Sequence, residues 1–273
     1  MLELDEQMLG RTWSFSFDDA TSNGLIESAM GNVAFHDLEG VFARFRPDPE
    51  APPGVELDPM ALQLLRAERR FGLYQLLDHL PCPVANRPSA GRSNGSKPLQ
   101  MTNVLEPAGF QVPRWLVAND RAELIHFLDT VNGSAIYKAV SGLRSRVRRV
   151  DPQLLERIEA GTTPVLVQEY IAGVDVRVHV VAGECFGTEV RGAGVDYRFD
   201  GQHSFRERDV PPEIGGLCAT VGAAEGLLVA GFDFRVDAAG FWFCLEVNPM
   251  PSFIPYQWQT GQPIAEAVLR AFR

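Results

Sequence analysis

The chain lacks most of the features that would settle its class at once. It holds no run of about 18 apolar residues, so no membrane-crossing helix is expected. Its opening residues, MLELDEQMLGR, are acidic and have no apolar centre, so they do not read as a signal peptide. Basic charge is short: 25 Lys and Arg stand against 35 Asp and Glu, a formal net charge of −10. That balance excludes a general nucleic-acid binder, whose footprint is basic, while leaving room for a local basic site. Lysines are very few, and two of them are Lys97 and Lys138. The four cysteines, Cys82, Cys185, Cys218 and Cys244, show no C-x-x-C spacing, so they read as buried thiols of a reducing compartment. The expected location is cytoplasmic. No side-chain nucleophile stands out, so none is expected.

What the chain does have is core material. Apolar residues make up 45% of its 273 positions, enough for one large domain or a few small lobes around a cleft. "TWSFSFDD" and "GVFARF" alternate at period two and predict strands. "PDPEAPPGVELDP" is a proline-rich loop before "MALQLLRAERRFGLYQLLDHL", whose leucines recur at helical spacing. Further helices are predicted at "LQMTNVLEPAGF", with Pro98 near its start and Gly109 past its end, and at "RAELIHFLDTVNG", with Asp120 as N-cap. "PPEIGGLCATVGAAEGLL" and "GQPIAEAVLRAF" supply two more. "SAIYKAV" and "VLVQEYI" read as strands. Hairpins are predicted to turn at Ala182-Gly183 and between Asp237 and Gly240. Helices and antiparallel hairpins mix, so the fold class is α+β.

The second hairpin interrupts a very apolar strand, "FCLEVNPMPSF", with Glu246 and then Asn248. Strand alternation puts these two on one face. Asp233, on the partner strand, joins them if the connection holds an even number of residues, which sets it opposite Cys244; an odd loop turns it away. The even loop is the expectation, because it gathers three hard oxygen donors. Such a cluster is costly if buried and unpaired, and becomes sensible around Mg²⁺ completed by phosphate oxygens. The competing reading is a solvent-facing polar edge.

A polyphosphate also needs cations. Lys138 is a charge inside the apolar run "AIYKAV", followed by the small-residue turn "SGLRSR"; a snorkelling edge lysine is the alternative. Lys97 precedes a predicted helix start, where helix dipole and ammonium together can grip an anion; on this residue alone an ordinary loop lysine is the favoured reading. In "QEYIAGVDVRVHV" the valines take one face and Asp175, Arg177 and His179 the other. That face is either wet or lines a cleft, where Asp175 can accept from a ribose hydroxyl and Arg177 can fork onto phosphate or carboxylate. His179 reads as structural. Arg144, Arg146, Arg148 and Arg149 can cap phosphates, attract an acidic substrate or simply face solvent. Phe253, Tyr256 and Trp258 either wall an acceptor site or pack under the last helix.

Read in order, "NGSKPLQ…GFQVP", "YKAVSG", "VLVQEYIAGVDVRVHVV", "DYRF", "AGFDFRV" and "CLEVNPMPSF" resemble the ATP-grasp superfamily. The nearest branch is the RimK-like one of ribosomal-protein glutamate ligases and peptide-modifying relatives. The resemblance covers roughly residues 86 to 268. It implies two α+β lobes clamping a nucleotide after a short N-terminal pre-ATP-grasp-like domain, with divisions at 1–85, 86–170 and 171–273. By the same resemblance Lys97 and Lys138 hold ATP phosphates, and Gln168, Glu169, Tyr170 and Ile171 form the hinge that meets the adenine. Asp175 lies near the ribose, Arg198 steadies the phosphates and the acyl-phosphate, and Asp233, Glu246 and Asn248 hold Mg²⁺, with Mn²⁺ as an alternative; Arg177, from the reading of its own strand, is expected to be catalytic beside Arg198. The hairpins bearing Asp175 and Glu246 are expected to face each other across one cleft.

The implied reaction is ATP-dependent ligation. A small-molecule or peptide carboxylate is activated as an acyl-phosphate and joined to a nucleophilic co-substrate, usually an amine, otherwise a hydroxyl or thiol. A homodimer is compatible with this; nucleic acid and membrane are not expected partners. The rival readings are a phosphotransferase on the same fold, a non-catalytic nucleotide-binding module, and an α+β binding protein whose polar hairpins are only wet faces.

Overall fold

The computed structural model describes residues 2–19, 23–45, 56–140, 146–159, 163–192 and 203–273. The chain divides into two compact units: Met1–Ala90 with Gly226–Leu228 and Leu269–Arg273, and Gly91–Glu225 with Val229–Val268.

In the first unit, β1 (Trp13–Phe17), β2 (Gly24–Ser28) and β3 (Gly31–Ala34) form an antiparallel meander. Of "GVFARF", β4 covers Val41–Phe42; it pairs in parallel with β5 (Val84–Ala85). Helix α1 spans Pro59–His79, opened by Pro59 and by Asp58, whose carboxylate accepts from the backbone of Met60 and Ala61. Its C-terminal end is closed by an arginine: Arg87 donates to the carbonyls of Leu77 and Asp78, which the helix itself leaves without partners, and to those of Leu80 and Cys82 just past it. Leu73, Leu76 and Leu77 of α1 bury against Trp13, Ile26 and Phe35 to make this unit's core.

The second unit opens with α2 (Lys97–Gln100), a π-helical turn (Met101–Leu105) and α3 (Glu106–Ala108), one continuous segment stopped by Gly109 at φ 101°. Its four-stranded antiparallel sheet has the order β6 (Trp115–Ala118), β9 (Val165–Glu169), β7 (Ala135–Lys138), β8 (Arg148–Arg149). Leu124 and Phe127 of α4 (Arg121–Thr130) and Leu154 of α5 (Pro152–Glu159) bury against it. Asp120 caps α4 by accepting from Glu123 N–H.

A five-stranded antiparallel sheet follows, ordered β12 (His203–Glu207), β11 (Glu184–Gly192), β10 (Gly173–Val181), β13 (Val229–Asp237), β14 (Trp242–Asn248). Val176, Val178, Phe232, Phe234, Cys244 and Val247 are all nearly inaccessible, and α6 (Pro212–Ala224) buries Cys218 and Val221. β10 and β13 are direct neighbours. The two polar-faced hairpins are therefore one continuous wall, not opposite walls of a cleft as the sequence suggested. The reason is that β10 has two free edges, and β13 completes one of them as β11 completes the other.

The β13–β14 connection also departs from expectation. Asp237 N–H bonds to Phe241 O around Ala238, Ala239 and Gly240, an odd loop. Asp237 Oδ1 fixes it by accepting from Ala239 and Phe241 N–H. Phe234 pairs with Cys244, yet Asp233 pairs with Glu246, because Leu245 is an extra residue in a β-bulge. The bulge reverses the parity that the odd loop had set. Asp233 thus reaches the face of Glu246 and Asn248 opposite Glu246 rather than opposite Cys244, whose side chain lies on the apolar face.

"FIPYQWQTG" contains a helix, α7 (Ile254–Thr260), and α8 (Ile264–Arg270) closes the chain. Phe253 and Tyr256 pack inward, whereas Trp258 is 81% exposed. No described helix is long and apolar enough to cross a membrane.

Candidate active site

The polar face of the five-stranded sheet carries the chemistry. β10 presents Asp175, Arg177 and His179; β13 presents Asp233 and Arg235; β14 presents Glu246 and Asn248. The face is not a wet edge: Arg177 is 6% and His179 0% exposed. Charges so buried must be paired. Arg177 Nη1 lies 2.5 Å from Asp233 Oδ2, its direct cross-strand neighbour. Lys97, itself buried, lies 3.3 Å from Glu246 Oε2 and donates to Asn94 Oδ1 at 2.7 Å. Burial alone would raise the Glu246 carboxyl, but the cations Lys97, Lys138 and Arg177 outweigh it and hold it below the ordinary carboxylate range. Both lysines and Arg177 therefore act on one carboxylate, although they come from α2, β7 and β10.

Asn248 Oδ1 accepts from Met250 N–H at 2.9 Å, which fixes the amide at the start of the Pro249–Pro251 loop. His179 is neutral. Its ring rests edge-on against Tyr256, and Nε2 contacts Ser252 O at 3.2 Å. Burial and the adjacent Arg177 charge push its pKa down to about 3. Nδ1 has no hydrogen-bond partner among the described residues.

The segment expected to form the hinge, Gln168 to Ile171, is pinned at every residue. Gln168 is buried, with its amide against Met101 Sδ. Glu169 pairs with Arg114 at 3.2 Å. Tyr170 N–H donates to Ser134 O. Ile171 O accepts from Arg235 Nε at 3.0 Å, and the same guanidinium reaches Tyr170 OH at 2.9 Å and Asp175 Oδ2 at 2.6 Å. Arg149 stacks on the Tyr170 ring, 3.2 Å from its centre. The sequence reading missed Arg235 and the particular role of Arg149. For Arg235 there was a signal: an arginine two residues after Asp233 shares its strand face.

A cleft of about 410 Å³ adjoins Lys138 and Arg146 where β7 ends and β9 begins. Arg144 and Arg198 lie outside the described residues.

Among the described residues no three His, Cys, Asp or Glu side chains form a self-sufficient metal cage. The donors present suit a different kind of site. Two facing carboxylates and one amide oxygen match a hard cation such as Mg²⁺, which takes one or two carboxylates and completes its shell with water and phosphate. Lys97 and Arg177 now neutralise those carboxylates.

A four-stranded and a five-stranded antiparallel sheet in one unit, with Lys138 on the first, paired carboxylates on the second and Lys97 on α2, are the layout of an ATP-grasp protein. The model of the RimK-like ATP-grasp domain matches residues 96–272, and the chain belongs to that family. No curated protein matches it significantly. Among solved structures it is similar to the ATP-grasp ligase PsnB complexed with a phosphomimetic variant of a minimal precursor, Mg and ADP. That match has TM-score 0.78 and 24% identity, over 98% of this chain and 89% of that one. The macrocyclase MdnC of Microcystis aeruginosa MRC, bound with precursor peptide MdnA, gives TM-score 0.81 and 17% identity over 98% and 89%. A RiPP-associated ATP-grasp ligase of Chryseobacterium gregarium, with ADP and a leader and core peptide, gives 0.83 and 18% over 98% and 86%. At these identities the likeness shows the fold.

Proposed function

We propose that this chain is an ATP-dependent ligase that activates a carboxylate as an acyl-phosphate and joins it to an amine, with a peptide as substrate. The observation that carries the reading is the Asp233–Glu246 cross-strand pair, with Lys97, Lys138 and Arg177 acting on Glu246 and Arg177 paired to Asp233. The solved relatives are complexes with nucleotides, Mg or precursor peptides, which supports ATP, Mg²⁺ and a peptide here. Residues 86–170 and 171–273 act as the two lobes.

Asp233, Glu246 and Asn248 would hold Mg²⁺, or Mn²⁺ in its place; bound there, the cation neutralises charge on the phosphates. Lys97 then exchanges Glu246 for a phosphate oxygen, and Lys138 grips the chain of phosphates from β7. Gln168 to Ile171 present their backbone to the adenine. Asp175, with one oxygen already held by Arg235, offers the other to the ribose. Arg177, released from Asp233, orients the reacting carboxylate, and Arg198 serves the same transfer. The γ-phosphoryl group moves to a carboxylate oxygen and ADP leaves. The amine attacks the acyl carbon, phosphate departs with the C–O bond electrons, and the amine proton passes to solvent or phosphate. Positioning and charge neutralisation are the whole of the protein's contribution, and no side-chain nucleophile is needed.

Incubation with ATP, Mg²⁺ and a panel of acidic peptides and amino acids tests this. A ligase releases ADP and gives a product lighter than its reactants by one water. A stable product heavier by one phosphoryl group would identify a phosphotransferase instead. No ADP release together with no ATP effect on melting would remove the enzymatic reading.

A further inference from the structure

Gln100 lies one helical step beyond Lys97 and is 1% exposed. Its Oε1 accepts from Val247 N–H at 2.9 Å, and its Nε2 donates to Val247 O at 2.9 Å. Val247 is the residue between Glu246 and Asn248. β14 is an edge strand, and at that one residue the glutamine amide takes the place of the missing neighbour strand. Backbone groups this deeply buried need such partners. The same Nε2 reaches Ser93 Oγ at 3.1 Å, and Ser93 donates to Glu225 Oε2 at 2.6 Å, so the amide is itself oriented. A second clamp, Gln111 O accepting from Cys244 N–H at 2.8 Å, holds the strand on the other side of the Leu245 bulge. The backbone passes into a π-helical turn directly after Gln100, a departure from α geometry that recurs at functional sites.

The amide therefore ties the helix of the phosphate-binding lysine to the strand of the proposed cation ligands. The tie falls three residues from Lys97 and one from Glu246, the two residues whose side chains meet at 3.3 Å. We infer that Gln100 is a positioning residue whose bidentate grip on Val247 sets the affinity of the Glu246–Asn248 strand for a divalent cation. This rests on the reading of Asp233, Glu246 and Asn248 as cation ligands. A glutamine that only satisfied the strand edge would support folding and leave cation affinity alone.

The experiment is Mn²⁺ binding with ADP present, followed by the electron paramagnetic resonance signal of free Mn²⁺. It compares wild type, Gln100→Met, Gln100→Asn and Glu246→Gln, each shown to be folded by circular dichroism. Gln100→Met keeps length and loses both hydrogen bonds; Gln100→Asn keeps an amide that is too short to make both. Each should weaken Mn²⁺ binding roughly tenfold or more, the usual effect of losing a group that orients a metal ligand. Folded Gln100→Met with wild-type affinity overturns the inference; if that variant does not fold, Gln100→Asn decides by the same criterion. Failure of both to fold also overturns it, by assigning Gln100 to core stability. Glu246→Gln separates the two levels. If it retains Mn²⁺, the cation-site reading itself falls. If it loses Mn²⁺ while Gln100→Met keeps it, only the role of Gln100 falls.

Discussion

On β10 and β13 the same two residue types face each other twice, in opposite order: Asp175 opposite Arg235, and Arg177 opposite Asp233. Both pairs sit on one sheet face, and both arginines are buried. They are not equivalent. Arg235 spends its three nitrogens on Asp175, on the carbonyl of Ile171 and on the hydroxyl of Tyr170, the last two in the expected hinge segment. Arg177 is directed at Asp233, with Gly231 O at the long distance of 3.5 Å. One pair is a completed scaffold. The other is the pair that the proposed mechanism opens, with Arg177 turning to the reacting carboxylate. Two ion pairs with the same composition can therefore do opposite work, and the surrounding acceptors tell them apart.

The largest effect should come from breaking the scaffold. Arg235→Met leaves Asp175 without its counterion beside a hinge that has lost two further bonds. A loss of about 3 kcal/mol in unfolding free energy is expected, at the lower end for a broken buried pair because Asp175 is partly exposed, read by urea denaturation without nucleotide. Next is Arg177→Met. Turnover should fall roughly 10²-fold, as for other preorganised groups that meet transition-state charge, with a smaller stability loss than Arg235→Met. Equal stability losses with turnover intact would show that both pairs are scaffolds.

Gly231→Ala sharpens the contrast without touching a charge. An added Cβ would meet Arg177 Cζ at 2.9 Å and Pro251 Cβ at 2.7 Å, so the guanidinium or the proline loop must move. Overpacking of this kind costs about 1–3 kcal/mol, and ADP release should fall with it. Smallest is the pH effect of His179, which follows Asp175 and Arg177 on that face. Its folded-state pKa of about 3 lies below the ordinary 6.5. The unfolded chain therefore binds the proton first, and stability is full above pH 6.5 and declines as pH falls towards 3. The slope is at most about 1.4 kcal/mol per pH unit. His179→Gln should flatten it between pH 6.5 and 5, above the range where carboxylates titrate; an unchanged slope would show that another group sets it.

Much of this molecule is legible in the residues. Helix α1 is announced by its leucine spacing, α4 by Asp120, and the β10–β11 turn by Ala182-Gly183. The acidic hairpin was harder, because two one-residue features act on the same count. An odd loop turns Asp233 away from Glu246 and the Leu245 bulge turns it back, and nothing in "FCLEVN" marks which residue is extra. The Arg235 clasp was hidden for another reason: its partners Tyr170 and Ile171 lie more than sixty residues away, and strand order decides that contact. Whether β10 meets β13 in one sheet is likewise a matter of edges finding partners, which local pattern does not encode. α7 escaped notice because prolines stand at 249, 251 and 255; the first two precede the helix, and Pro255 occupies its first turn.

Lys97 and Lys138 are the only two lysines in the chain; every other side chain counted with them is arginine. Both act on Glu246. Reagents that modify primary amines therefore have no lysine to consume outside this one site, the α-amino group aside. An amine-directed label, its two tagged peptides read by mass spectrometry, becomes an occupancy gauge for the proposed phosphate region. Shielding of Lys138 by ATP, and of the more buried Lys97 in turn, can be followed without knowing the substrate.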